Sequence, residues 1–265
     1  MSRFISAGEV VAFEGRILDC RFSLADSGAG RQAFLEGHIP GASFLDVATQ
    51  MSAPVARHGG RHPLPPPATF ARTLASYGVD STTPVLLYDD SQGLFAARAW
   101  WMLRALGYLE PRILAGGYSA WLALGNEPEV GAGSATPCEV AEVAEQWPGC
   151  FDREALADRQ AEGALLVDAR EGPRYRGEVE PIDPVAGHIP GALNLPWSDL
   201  VDAGTGLQSP AQQREAWGEL LDAKELIVYC GSGVSACVNL LSLAELGYDA
   251  ARLYPGSWSD WCSYL

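Results

Sequence analysis

No run of about 18 apolar residues occurs in the sequence, so none of its segments reads as a membrane-spanning helix. The opening residues, Met1-Ser2-Arg3-Phe4-Ile5-Ser6, lack the apolar stretch and small-residue cleavage site of a secretory signal, and a cytoplasmic location is expected. Cations are scarce: 18 Lys and Arg stand against 33 Asp and Glu, a net charge of −15. That field repels nucleic acid and anionic lipid, whose phosphates need clustered cations, so neither nucleic acid nor membrane is expected as a partner. An anionic small molecule would be repelled as well, unless local positive groups overcome the field at short range. The six cysteines, Cys20, Cys138, Cys150, Cys230, Cys237 and Cys262, form no Cys-x-x-Cys pair. A disulfide framework and a zinc site are thereby disfavoured, and a reducing compartment with one working thiol fits better.

What the chain does contain is a repeat. Gly37-His38-Ile39-Pro40-Gly41-Ala42 recurs as Gly187-His188-Ile189-Pro190-Gly191-Ala192. Upstream, Ile17-Leu18-Asp19-Cys20-Arg21 matches Leu166-Val167-Asp168-Ala169-Arg170, and downstream Val85-Leu86-Leu87 matches Leu226-Ile227-Val228. Leu106-Gly107-Tyr108 then matches Leu246-Gly247-Tyr248, and Tyr118-Ser119-Ala120-Trp121 matches Trp258-Ser259-Asp260-Trp261. The chain is read as two copies of one unit: a first domain over 1–125, a linker rich in small residues over 126–149, and a second domain over 150–265. Short apolar runs alternate with helical spacing, as in Ala97 to Leu106. Two α/β domains follow, each a parallel sheet flanked by helices.

Ligands on such sheets bind beyond the carboxyl ends of the strands. There, after Leu226-Ile227-Val228-Tyr229, lies Cys230-Gly231-Ser232-Gly233-Val234-Ser235-Ala236, followed by a helix-like run from Cys237 to Leu246. Glycines let successive N–H groups turn inward, and a helix N-terminus adds partial positive charge; both favour the thiolate, the form that attacks. Most cysteines are small buried residues, but this placement sets Cys230 apart as a nucleophile. Cys237 and the other four cysteines read as structural. An offset of 140 residues sets Asp90 opposite Cys230, Gly93 opposite Gly233 and Ala96 opposite Ala236, so the first copy lacks the thiol.

Taken together, Asp-x-Arg and Gly-His-Ile-Pro-Gly-Ala in both copies, with Cys230 only in the second, resemble the rhodanese family in its tandem two-domain form. The resemblance implies a non-catalytic first domain and a catalytic second one. Cys-Gly-Ser-Gly-Val-Ser at 230–235 resembles the loop of the 3-mercaptopyruvate sulfurtransferase subclass, whereas thiosulfate-using members carry basic side chains there. Thiosulfate is a dianion and needs cations beside a thiolate; a monocarboxylate needs fewer. Arg174 matches the subclass's carboxylate-binding arginine, whose planar fork suits that group. A second arginine, usual slightly downstream, is missing from Glu178-Val179-Glu180-Pro181-Ile182-Asp183-Pro184. Asp46 stands where the subclass has a first-domain aspartate. The cationic Arg57-His58-Gly59-Gly60-Arg61-His62 reads as a solvated loop, with supply of the missing charge as its alternative. His38 and His188 recur in both copies, so they read as structural, as do Asp19, Arg21, Asp168 and Arg170.

The expected chemistry is sulfur transfer from 3-mercaptopyruvate to a Cys230 persulfide and then to cyanide or a thiol such as reduced thioredoxin. Arg174 grips the carboxylate, Ser232 relays a proton, and the N–H groups of Gly231, Gly233, Val234, Ser235 and Ala236 cradle the sulfur. No metal or organic cofactor is implied. Thiosulfate is the alternative donor. A phosphatase of the Cys-x-x-x-x-x-Arg kind is disfavoured, because Ala236 stands where its arginine would be. A non-enzymatic sulfur-binding module is disfavoured by the intact thiol loop.

Overall fold

The computed structural model describes residues 2–202 and 204–265. The chain forms two compact units: one drawn from Met1–Ala53, Pro65–Pro148 and Asp202–Gly206, the other from Pro54–Leu64, Gly149–Val201 and Leu207–Leu265. No helix among the described residues is long and apolar enough to cross a membrane.

In the first unit five parallel strands lie in the order Phe4–Ile5, Arg112–Leu114, Val85–Tyr88, Arg16–Asp19, Ala42–Phe44. The central strand Val85–Tyr88 is buried throughout, as a strand covered on both faces must be. Leu86 and Tyr88 point to a cluster with Phe34, Ile39, Phe44, Tyr118 and Trp121; strand alternation sends Leu87 to the opposite face. The helix expected around Ala97 spans Leu94–Ala105. The second unit has four parallel strands in the order Arg252–Leu253, Leu226–Tyr229, Leu165–Asp168, Leu193–Asn194. Its apolar cluster gathers Leu156, Leu166, Ile189, Ile227, Tyr229, Tyr254 and Trp258. The helix after the cysteine loop runs from Ala236 to Glu245.

The repeated motifs meet in a buried polar clamp. Arg21 Nη2 donates to Asp19 Oδ2 at 2.6 Å and to the Gly37 carbonyl at 2.7 Å. Arg170 Nη2 does the same with Asp168 Oδ2 and the Gly187 carbonyl, each at 2.7 Å. Tyr88 Oη donates to Asp19, and Tyr229 is bonded likewise to Asp168. Each tyrosine hydroxyl also accepts the N–H of the isoleucine in Gly-His-Ile-Pro. His38 Nδ1 lies 2.8 Å from the Phe34 carbonyl and His188 Nδ1 2.8 Å from the Tyr175 carbonyl, each imidazole stacked on the ring of that same residue. Both histidines thus brace the loop that follows them.

The segment read as a linker runs without a helix from Asn126 to Pro148. Trp147 Nε1 donates to the Pro65 carbonyl and its ring stacks on Trp101, which ties this stretch to the first unit.

Asp19 is fully buried, and burial raises its pKa against the pull of Arg21. Arg21→Met strips the carboxylate of its partner and leaves the Gly37 carbonyl unpaired. The expected loss of stability is about 3–5 kcal/mol, read from the urea unfolding midpoint, with a matching loss for Arg170→Met.

Candidate functional site

Cys230 follows the last residue of the strand Leu226–Tyr229 and is 1% exposed. Its own backbone is clamped by the segment after the next strand. The Cys230 N–H donates to Ser257 Oγ at 3.1 Å, while Trp258 N–H and Ser259 N–H donate to the carbonyls of Cys230 and Gly231. Gly233 has φ +74°, and a Cβ there would lie 2.4 Å from the Pro255 carbonyl oxygen, so only glycine fits this turn. Val234 is buried, Ser235 precedes the helix, and Ala236 is its first, fully buried residue. Cys237 is buried with its thiol against the Gly233 carbonyl.

The strands show which residue of the first copy matches Cys230. Tyr88 and Tyr229 end their strands with the same partners, so Asp89, and not Asp90, stands opposite Cys230; the 140-residue offset holds only from Gly93 and Gly233 onward. The first copy's loop is therefore one residue longer, yet Gly93 has φ +80°, close to that of Gly233. Asp89 fills that loop with its own side chain. Its Oδ1 accepts the N–H groups of Ser91 and Gly93 at 2.7 and 2.9 Å, and its Oδ2 those of Phe95 and Ala96, both at 2.9 Å. Burial raises the Asp89 pKa, and the four N–H groups hold that rise back. The loop type is an anion cradle, and the first unit supplies its own anion.

Around the Cys230 loop the charges are arranged in a chain. Arg174, on the short helix Gly172–Tyr175, donates from Nε and Nη2 to Glu180 at 3.2 and 2.6 Å, and from Nη2 to Asp183 at 3.3 Å. Arg61 donates from Nε and Nη2 to Asp183 at 2.8 and 3.2 Å. Arg170 reaches Glu180 from the other side. A Cβ built on Gly231 would meet Arg61 Nη2 at 2.9 Å and both terminal nitrogens of Arg174 at 3.5 Å. Two guanidinium groups thus lie over the backbone beside the thiol. Among the described residues the bonds of both use Nε and Nη2, which leaves Nη1 of each for a ligand. The Ser232 hydroxyl lies 2.9 Å from His62 Nδ1.

Sequence reasoning placed Arg174, Ser232 and the loop in one neighbourhood, and the structure brings them together. It treated Arg57 to His62 as a solvated loop. That reading is corrected for Arg61 and His62, which dock on the second unit and flank the cysteine loop. The clue was the local run of cations, but His62 and Ser232 are 170 residues apart, and spacing carries no signal over such a distance. The downstream arginine sought between Glu178 and Pro184 is absent; that stretch supplies instead the carboxylates of Glu180 and Asp183, which orient the two arginines. Asp46 lies in the first unit, where its Oδ1 accepts the Ala48 N–H.

Two outcomes are expected. Asp89→Ala leaves two buried and two part-buried N–H groups without an acceptor and lowers stability by about 3 kcal/mol, measured by urea unfolding. For Glu180, burial pushes the pKa up, but Arg174 and the N–H groups of Asp183 and Ile182 outweigh it, leaving the carboxyl below its usual 4.5. A depressed folded-state pKa stabilises above the unfolded value and is lost as pH falls through the folded one. The acid-side loss of stability below pH 4.5 should therefore be shallower in Glu180→Gln than in the parent, as followed by unfolding midpoints across pH 2 to 6.

Comparison with known proteins agrees with this geometry. The rhodanese-like domain matches residues 3–124 and again 152–264. A Pseudomonas aeruginosa protein named as a probable 3-mercaptopyruvate sulfurtransferase is 45% identical, over 92% of this chain and 88% of its own. A Mycobacterium tuberculosis protein named as a thiosulfate sulfurtransferase is 42% identical, over 99% of this chain and 92% of its own. The solved structure of 3-mercaptopyruvate sulfurtransferase from Leishmania major superposes with a TM-score of 0.86 at 32% identity, covering 99% of this chain and 74% of that one. With two copies of the domain spanning nearly all of its length, the chain belongs to the rhodanese family.

Proposed function

We propose that this chain is a 3-mercaptopyruvate sulfurtransferase that carries sulfur as a persulfide on Cys230. The observation that carries this reading is the pair of guanidinium groups, Arg61 and Arg174, lying over Gly231 beside the thiol with Nη1 of each unspent. A carboxylate held there places the substrate's sulfur next to Cys230. The names of the Pseudomonas and Leishmania relatives support the same donor.

In the first step the Cys230 thiolate attacks the sulfur of 3-mercaptopyruvate, forming an S–S bond while the C–S bond breaks. The electron pair leaves on the pyruvate enolate, which takes a proton relayed by Ser232 from the His62 side. The persulfide rests among the N–H groups of Gly231, Gly233, Val234, Ser235 and Ala236, as the Asp89 carboxylate rests in the first copy's loop. In the second step a thiol or cyanide attacks the outer sulfur, and the Cys230 thiolate is restored. Reduced thioredoxin is a fitting thiol acceptor. All six cysteines are free thiols, which supports a reducing, cytoplasmic setting. The net charge of −15 argues against nucleic acid and anionic membrane as partners.

Thiosulfate is the second reading. Two arginines rather than one face the loop, enough charge to hold a dianion, and the Mycobacterium relative carries that name.

Steady-state sulfur transfer from each donor, in the parent and in Cys230→Ser, separates these readings. A preference for 3-mercaptopyruvate of tenfold or more in kcat/KM is expected, abolished by the substitution; tenfold corresponds to about 1.4 kcal/mol, within reach of one arginine contact. Arg174→Lys should raise KM for 3-mercaptopyruvate about tenfold, since an ammonium cannot form the fork. A thiosulfate preference moves the assignment to the second reading, and failure of both donors to load Cys230 sinks it.

A further inference from the structure

The segment Pro54–Leu64 follows the first copy's Gly-His-Ile-Pro-Gly-Ala but packs wholly within the second unit. Its attachment is concentrated on the last helical segment of the chain. Gly59 N–H donates to Asp260 Oδ1 at 2.6 Å, and Arg61 N–H donates to Ser259 Oγ at 3.1 Å. His58 Nδ1 lies 2.7 Å from Ser263 Oγ, and its ring stacks on Tyr264. Between these anchors Gly60 has φ +85°, and a Cβ there would fall 2.5 Å from the Gly256 carbonyl oxygen. The strap is thus pressed against the helix at the residue next to Arg61, and Arg61 and His62 reach the cysteine loop from this footing.

Asp260 is the keystone of that footing. It is 6% exposed, and its second oxygen accepts the Tyr254 hydroxyl at 2.6 Å, which fixes the carboxylate plane. The duplication supplies a control for its purpose. In the matched helix of the first copy, Tyr118-Ser119-Ala120-Trp121, the same position is Ala120, so this helix forms without an aspartate. Ser119, the counterpart of Ser259, there binds Asp90 of its own loop instead. The first copy also has Leu114 where Tyr254 stands, so the aspartate answers to the Tyr254 hydroxyl and to the strap that docks on the helix, not to the helix.

We infer that Asp260 is a positioning residue for the sulfur donor: through the Gly59 N–H it holds the strap that presents Arg61 to the donor's anionic group. The inference rests on the donor site proposed above. Loss of Asp260 lets the strap drift, and a shift of about 1 Å in a guanidinium weakens its grip on the donor while leaving the thiol and its loop as they were.

The test measures loading of the Cys230 persulfide by mass spectrometry, in the full chain, from two donors. One is 3-mercaptopyruvate; the other is dispersed elemental sulfur, an uncharged ring that the Cys230 thiolate opens and that has no anionic group to grip. Asp260→Ala, the residue of the first copy, should raise the half-saturating 3-mercaptopyruvate concentration at least fivefold, with loading from elemental sulfur within twofold of the parent. Asp260→Asn keeps an acceptor for Gly59 while the Tyr254 hydroxyl turns to accept its amide, and should restore loading to within twofold. If Asp260→Ala does not fold, Ser259→Ala, which removes the acceptor for the Arg61 N–H together with the hydroxyl's own bond to the Gly256 carbonyl, should give a rise of about threefold. Unchanged 3-mercaptopyruvate dependence overturns the inference. So does an equal fall with both donors, which makes the residue structural only. Failure of the parent to load from 3-mercaptopyruvate is a different result: it defeats the donor assignment, and the same comparison is then run with thiosulfate.

Discussion

Each unit is organised by one buried ion pair that does two things at once. An aspartate at a strand end and the arginine two residues on are taken out of water together, which is tolerable because the pair is closely joined and further hydrogen bonds reach both partners. The guanidinium spends its remaining reach on a glycine carbonyl in the repeated Gly-His-Ile-Pro-Gly-Ala loop, and the carboxylate takes a tyrosine hydroxyl from the central strand. Strand, neighbouring strand and loop are thereby locked at the carboxyl end of the sheet. The cysteine loop begins immediately after that tyrosine, so its origin is as rigid as the clamp.

From this fixed origin the two copies diverge in what occupies the cradle. A carboxylate in the first satisfies four N–H groups permanently, and nothing can be exchanged there. A thiol at the equivalent strand end leaves the cradle to a group that can change during a reaction. The surrounding charge is set accordingly: three arginines and the acids Glu180 and Asp183 are held in a nearly neutral lattice, and the positive edge of that lattice faces Gly231. A chain of net charge −15 can in this way offer an anion a local welcome.

Much of this was legible before the structure. A six-residue identity between copies gave the duplication, apolar runs such as Leu226-Ile227-Val228 gave the buried strands, and a cysteine after such a run marked the loop beyond the strand's carboxyl end. The internal register was misread by one residue at Asp89 and Asp90, because adjacent identical residues hide an insertion and only the paired tyrosines reveal it. Arg61 and His62 were legible as cations but not as site residues. Their docking depends on hydrogen bonds to Asp260, Ser259 and Ser232, and nothing in linear spacing encodes partners so far along the chain.

The strap has a consequence for how such a chain can be divided. Its covalent order and its packing order differ: residues between Pro54 and Leu64 are translated with the first copy yet serve the second. A cut in the stretch between the copies would release a second half with its thiol intact but stripped of one of two guanidinium groups and of the imidazole beside Ser232. Duplication produced two look-alike halves, and the thiol-free copy carries, besides the sheet it forms, a loop that packs within the other.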